Sequence, residues 1–160
     1  VGTYYAPDDE TFIADRLREL LAAGADLLIT TGGMSVDPDD VTRFAIRSIG
    51  ATDITYGSAV LPGAMVLAAY VSAECGVRNA ESKGSSHQAG QSEIRNSKSA
   101  IPILGIPACG MYHRTTVFDL ILPRVLAGER IGRKELAELG HGGLCLHCTE
   151  CRYPVCPFGK

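Results

Sequence analysis

The segment Ala25-Asp26-Leu27-Leu28-Ile29-Thr30-Thr31-Gly32-Gly33 constrains the fold of this chain more than any other. Its apolar run is too brief for a helix and suits a strand buried on both faces. Such strands belong to sheets covered by helices, and the glycine pair marks the turn out of the strand. Helical signals flank the run on both sides. Upstream, Pro7-Asp8-Asp9-Glu10 sets a helix-compatible proline and three carboxylates before Phe12, Ile13, Leu17, Leu20 and Leu21, with Gly24 as the stop. Downstream, a helix is predicted from near Asp37-Pro38-Asp39-Asp40 through Val41, Phe44, Ala45 and Ile49 to Gly50. Further strands are predicted at Asp53 to Gly57, Met65 to Val71 and Ile101 to Leu104. A strongly apolar helix follows from about Tyr112 to Leu126, which Pro123 should bend or restart. Strand, glycine turn, helix, strand is the pattern of an open α/β sheet with helices on its faces.

The rest of the chain divides around this pattern. Residues 81–99 hold only Ala89 and Ile94 as ordinary apolar residues, so a solvated, mobile insertion is expected over about 74–100. The expected division is an α/β domain over 1–130 and a C-terminal unit over 131–160. The formal charge of −3 gives no basic excess to release counterions, so no nucleic-acid partner is expected. No apolar stretch of about 18 residues occurs, so no membrane span is expected. The chain opens Val1-Gly2-Thr3 without an initiator Met or a basic-then-apolar leader. It therefore reads as the C-terminal portion of a longer, cytoplasmic polypeptide.

Three motifs carry candidate chemistry. In Thr30-Thr31-Gly32-Gly33-Met34-Ser35 the glycines let backbone approach a ligand, successive amides can form an anion nest, and three hydroxyls add donors. Asp40, expected about one turn into the next helix, could hold a divalent cation or a water beside a bound phosphate. The same residues also suit a plain strand–helix turn with Asp37 as its N-cap. The second motif, Gly105-Ile106-Pro107-Ala108-Cys109-Gly110, could supply backbone donors from a neighbouring strand end, or could be an ordinary connection. The third is Cys145-x2-Cys148-x2-Cys151-x4-Cys156-Pro157. Four thiolates in one short loop can surround a tetrahedral Zn²⁺, and the spacing nearly matches an iron–sulfur run.

Residues 26–40 resemble the TGG-x-S-V-G-x-x-D segment of molybdopterin-binding domains, shared by molybdopterin molybdotransferase and molybdopterin adenylyltransferase. Leu61-Pro62-Gly63-Ala64 is similar to that family's PG element, Gly105-Ile106-Pro107 to its GLPGNP loop, and Phe118 to Gly128 to its closing helix. The resemblance covers roughly residues 5–128. It implies a three-layer α/β/α fold with a mostly parallel sheet, here followed by a short Cys-rich metal knuckle, and a pterin pocket at the strand ends. The ligand-binding residues it implies are Thr30, Thr31, Gly32, Gly33, Met34, Ser35, Pro62, Gly63, Gly105, Pro107, Ala108 and Cys109. Asp40 would serve Mg²⁺ or molybdate chemistry. Met34-Ser35 is closer to the molybdotransferase type. Relatives suggest a homo-oligomer that works beside a molybdoenzyme or another cofactor-synthesis protein.

Departures from the pattern are equally specific. Asp37 stands for a glycine, Ala108-Cys109-Gly110 for Gly-Asn-Pro, and the family's Gly-Asp-Glu and Asp-x-Asn elements are absent from these residues. Two other readings follow. One is a metal-clamped interaction module without catalysis. The other is a magnesium-dependent nucleotide pyrophosphatase of the competence-damage type, which Asp39-Asp40-Val41-Thr42 resembles.

Overall fold

The computed structural model describes residues 2–34, 37, 40–72, 100–140 and 149–150. The elements in chain order are α1 (Glu10–Ala22), β1 (Leu28–Thr31), α2 (Thr42–Ser48), β2 (Thr52–Tyr56), β3 (Leu67–Ser72) and β4 (Ala100–Ile106). A 3-10 turn at Ala108–Met111 leads on to α3 (Val117–Leu126) and α4 (Arg133–Leu139). The proposed insertion falls almost entirely, and the four tail cysteines wholly, outside the described residues.

Local chemistry explains where the helices begin. Asp9 caps α1, its carboxylate accepting from the Thr11 and Phe12 amides at 2.9 and 3.1 Å, which meets donors a helix start leaves open. The apolar stretch after Tyr112 does not form one helix. Thr116 and Asp119 build a capping box, with the Phe118 amide donating to Thr116 Oγ1 at 3.2 Å and the Thr116 amide to Asp119 Oδ2 at 2.7 Å. That box starts α3 afresh at Val117. Pro123, expected to bend or restart the helix, lies inside α3 instead. It sits on the exposed side of the helix, where the carbonyl deprived of its N–H partner can be hydrated.

The four strands form one sheet in the order β1-β4-β3-β2. β1 pairs parallel with β4, as expected of the strand–turn–helix pattern. β3 is antiparallel to both β4 and β2, so the sheet is mixed rather than mostly parallel. The reason lies in the connection: residues 57–66 between β2 and β3 are too few for the crossover helix that a parallel neighbour needs. A bulge between Thr52 and Thr55 leaves Asp53 at φ 50°, a conformation that Asp tolerates better than most residues.

Alternation along the two central strands feeds two cores. Leu67, Ala69, Val71 and Ile103 pack with Ala14, Leu17 and Leu21 of α1 and with Ala45 and Ile46 of α2. Ala68 and Leu104 point the other way, towards Val117, Ile121 and Val125 of α3 and Leu136 of α4. Helices therefore cover both faces of the sheet, which is the α/β/α layering inferred from the sequence. The start of the expected C-terminal unit joins this second core through Ile131 and Leu136. Tyr70 fastens that connection: its hydroxyl accepts from the Ile131 amide at 2.6 Å and donates to the Ile131 carbonyl at 3.3 Å. Burial is the main reason its hydroxyl titrates above the usual tyrosine range.

Candidate functional site

The strand register gathers the candidate loops at one end of the sheet. Thr31 lies opposite Ile106 in the parallel pair, so the glycine turns after β1 and β4 emerge side by side. Leu67 lies opposite both Tyr56 and Gly105, so the connection carrying Pro62 and Gly63 arises at that same end. In sheets of this kind, ligands bind beyond the carboxyl ends of parallel strands.

The turn after β1 is held open by specific contacts. Gly32 and Gly33 adopt φ values of 81° and 59°, the left-handed region where a side chain costs energy. Thr42 at the start of α2 donates its hydroxyl to the Gly32 carbonyl at 3.1 Å. A Cβ on Gly33 would overlap that same hydroxyl. The Met34 side chain turns inward: it is 3% exposed and belongs to the first core. It lies over Gly105, where a Cβ would collide with it. The Met34 carbonyl accepts from Tyr56 Oη at 2.8 Å. Met34 and Gly105 thus lock the two loops together. The Tyr56 hydroxyl titrates above its usual range, chiefly through burial; Arg43 opposes this and Asp40 adds to it.

The other predicted residues have equally definite positions. The Pro62 carbonyl accepts from the Val117 amide at 3.0 Å. Gly63, at φ 111°, packs so closely on α3 that a Cβ would lie 2.9 Å from Val117 Cγ1. Pro107, Ala108 and Cys109 enter the 3-10 turn, which the Gly110 amide closes on the Pro107 carbonyl at 2.9 Å. Cys109 is a free, partly buried thiol. Asp40 stands before α2, not one turn inside it, and its amide donates to the Asp37 carbonyl at 3.1 Å. The residue at the N-cap is Val41, with no side-chain cap bond, so the N-cap expected at Asp37 is not formed. Ser35, Asp39, Cys145, Cys148, Cys151 and Cys156 lie outside the described residues. Among the described residues, no group of three or more His, Cys, Asp or Glu is arranged to hold a metal ion. No helix there is long and apolar enough to cross a membrane.

A cavity of about 560 Å³ opens beside the end of β1, within the size range of small-molecule sites, roughly 300–1,000 Å³. Thr30, Thr31 and Gly32 line it with Thr42, while Tyr4, Tyr5 and Arg16 contribute from the other side. Thr30 Oγ1 is buried with no hydrogen-bond partner among the described residues, an unmet group of the kind that a ligand can satisfy. Sequence reasoning missed Tyr4, Tyr5 and Arg16, and named Thr42 only within Asp39-Asp40-Val41-Thr42, not among the ligand-binding residues. The adjacent tyrosines before the first helix were a visible signal; Arg16 read as an ordinary solvated helix residue. A second cavity, about 720 Å³, runs along β2 beside α4. Its charges are largely matched: Arg130 pairs with Asp53 and stacks 4.2 Å from the Tyr70 ring centroid. Glu135 accepts from the Gly132 amide at 2.9 Å. The smaller cavity has both the glycine turn and the unmet hydroxyl.

A family model described as a probable molybdopterin binding domain matches residues 2–127. No curated protein matches the chain.

Proposed function

The chain belongs to the molybdopterin-binding domain family, and from that premise we propose that it binds molybdopterin or a related phosphorylated pterin in molybdenum-cofactor biosynthesis or delivery. Membership ties the domain to molybdenum-cofactor biosynthesis. One observation carries the finer reading: the cavity at the end of β1, where Thr30, Thr31, Gly32 and Thr42 meet Tyr4 and Tyr5. Threonine hydroxyls suit the polar edge of a pterin, exposed tyrosine rings suit its flat face, and the glycine turn lets backbone come close to an anionic tail. The orphaned Thr30 hydroxyl is a partner such a ligand would complete.

Within this reading the chain's residues bind and orient the pterin. Asp40 offers one carboxylate near the glycine turn. That suits Mg²⁺, which keeps several waters and takes remaining ligands from a bound phosphate; when present, the ion would offset phosphate charge. Likeness to the molybdotransferase type rests on Met34-Ser35. The four tail cysteines hold Zn²⁺ or an iron–sulfur cluster in this proposal, supported by their spacing. Elemental analysis of the purified chain tests that part. The domain acts in the cytoplasm as a homo-oligomer and hands its ligand to another protein of the route.

Fluorescence titration of the purified chain with molybdopterin tests the central reading. Saturable binding at micromolar concentration or tighter is expected. An absence of binding up to millimolar pterin would remove it.

A further inference from the structure

We propose that Tyr56 is a positioning residue that, from the far edge of the sheet, holds the turn after β1 in the shape that receives the ligand. This rests on the pterin-binding reading and deepens it with a residue that lies outside the cavity. β1 and β2 are the two outer strands of the order β1-β4-β3-β2. The chain leaving β1 nevertheless reaches β2. Met34 lies over Gly105 of β4, and its carbonyl accepts from Tyr56 Oη at 2.8 Å. The glycine turn is thus the near end of a strap laid across the end of the sheet. Tyr56 fastens the far end.

The two glycines are the reason that fastening matters. Gly32 and Gly33 both sit at positive φ, and glycine loses more conformational freedom on becoming ordered than any other residue. A turn of two glycines with loose ends samples many shapes, and a ligand must then order it on binding. Two side-chain donors from other elements remove that freedom. Thr42 Oγ1 donates to the Gly32 carbonyl at 3.1 Å and Tyr56 Oη to the Met34 carbonyl, so Gly33 lies between two held carbonyls. Peptide planes are rigid and trans. Fixing the Gly32 carbonyl therefore also fixes the Gly33 amide, which points away from Thr42.

Tyr56 suits this part. Its ring packs against the first core and lies 5.6 Å from the Arg43 guanidinium carbon, which limits how far the hydroxyl can swing. Burial holds the hydroxyl above the usual tyrosine range, so it keeps the proton that it donates. Gly32 and Thr42 line the cavity at the end of β1, whereas Tyr56 does not. Its effect on a ligand therefore passes through the backbone of the turn.

The test sets Tyr56→Phe against Tyr70→Phe. Tyr56→Phe keeps the packed ring and removes only the donor. Tyr70→Phe removes a hydroxyl bonded to Ile131 in the second core, and so reports what losing a tyrosine hydrogen bond does to stability alone. Tyr56→Phe should bind molybdopterin about 3- to 10-fold more weakly, the range of one neutral hydrogen bond. Without ligand, ¹⁵N relaxation dispersion should show new exchange at its Gly32 and Gly33 amides. Tyr70→Phe should lose stability but keep full affinity and leave those amides as they were. Full affinity in Tyr56→Phe, equal loss of affinity in both variants, or a turn whose amides are unchanged would overturn the proposal. The relaxation measurement needs no pterin and so separates the two levels of the reading. If no protein of the series binds molybdopterin, new exchange confined to Tyr56→Phe keeps Tyr56 as the fastening while the pterin reading falls. If those amides are unchanged as well, both fall.

Discussion

Gly33→Ala is expected to weaken molybdopterin binding by at least about 100-fold while leaving a folded domain. A side chain at φ 59° costs about 1–2 kcal/mol. The new Cβ must also displace the Thr42 hydroxyl, and with it the bond to the Gly32 carbonyl at 3.1 Å, whose net contribution is roughly 0.5–1.5 kcal/mol. The turn then leaves the position in which it lines the cavity. Thermal unfolding and pterin titration on the same samples separate the two effects. Gly128→Ala is the control. Its φ of 88° imposes similar backbone strain, no atom lies within 4 Å of the added Cβ, and it is remote from the turn. It should lose stability of the same order and keep full affinity. Equal affinity in both variants would show that the turn is a connection and nothing more.

The second large effect concerns the lock between the loops. In Gly105→Ala the Cβ would collide with the Met34 side chain and lie 3.0 Å from Leu67 Cβ. Overpacking of this kind costs typically about 1–3 kcal/mol. Met34→Ala alone leaves a void and should cost about 2–5 kcal/mol. The double variant should be more stable than the sum of the two by at least about 1 kcal/mol, because the collision is removed with the Met34 side chain. Urea unfolding of the four proteins measures this coupling. Strict additivity would mean that Met34 does not rest on Gly105.

These two positions also show where sequence reasoning reaches and where it stops. The apolar run before Gly32, the spacing of Leu17 and Leu21, and the apolar stretch Leu67–Val71 reflect burial, and burial places α1, β1 and β3 where they were expected. Strand direction leaves no such trace. Nothing in residues 67–72 distinguishes a parallel from an antiparallel neighbour; the shortness of the 57–66 connection was the available hint. The start of α2 was read too early because Asp37-Pro38 looks like a helix entry. A hydrogen bond between residues ten positions apart, Thr42 to Gly32, goes with the actual start.

Site residues divide in the same way. Thr30, Thr31 and Gly32 line the cavity as their place at a strand end suggested. Met34, Gly63 and Gly105 carry equally strong sequence signals for a different reason. Each makes a close packing contact: Met34 over Gly105, and Gly63 against Val117. A glycine required by a neighbouring side chain and one required by a ligand look alike in a sequence.

The most direct measurement is the set of backbone amide shifts in ¹⁵N-labelled protein as molybdopterin is added. Ligand in the cavity at the end of β1 predicts the largest changes at Thr31, Gly32, Gly33 and Thr42, saturating together. Unchanged resonances at those four residues, with shifts confined to Arg130, Gly132 and Glu135 or absent everywhere, would contradict the account.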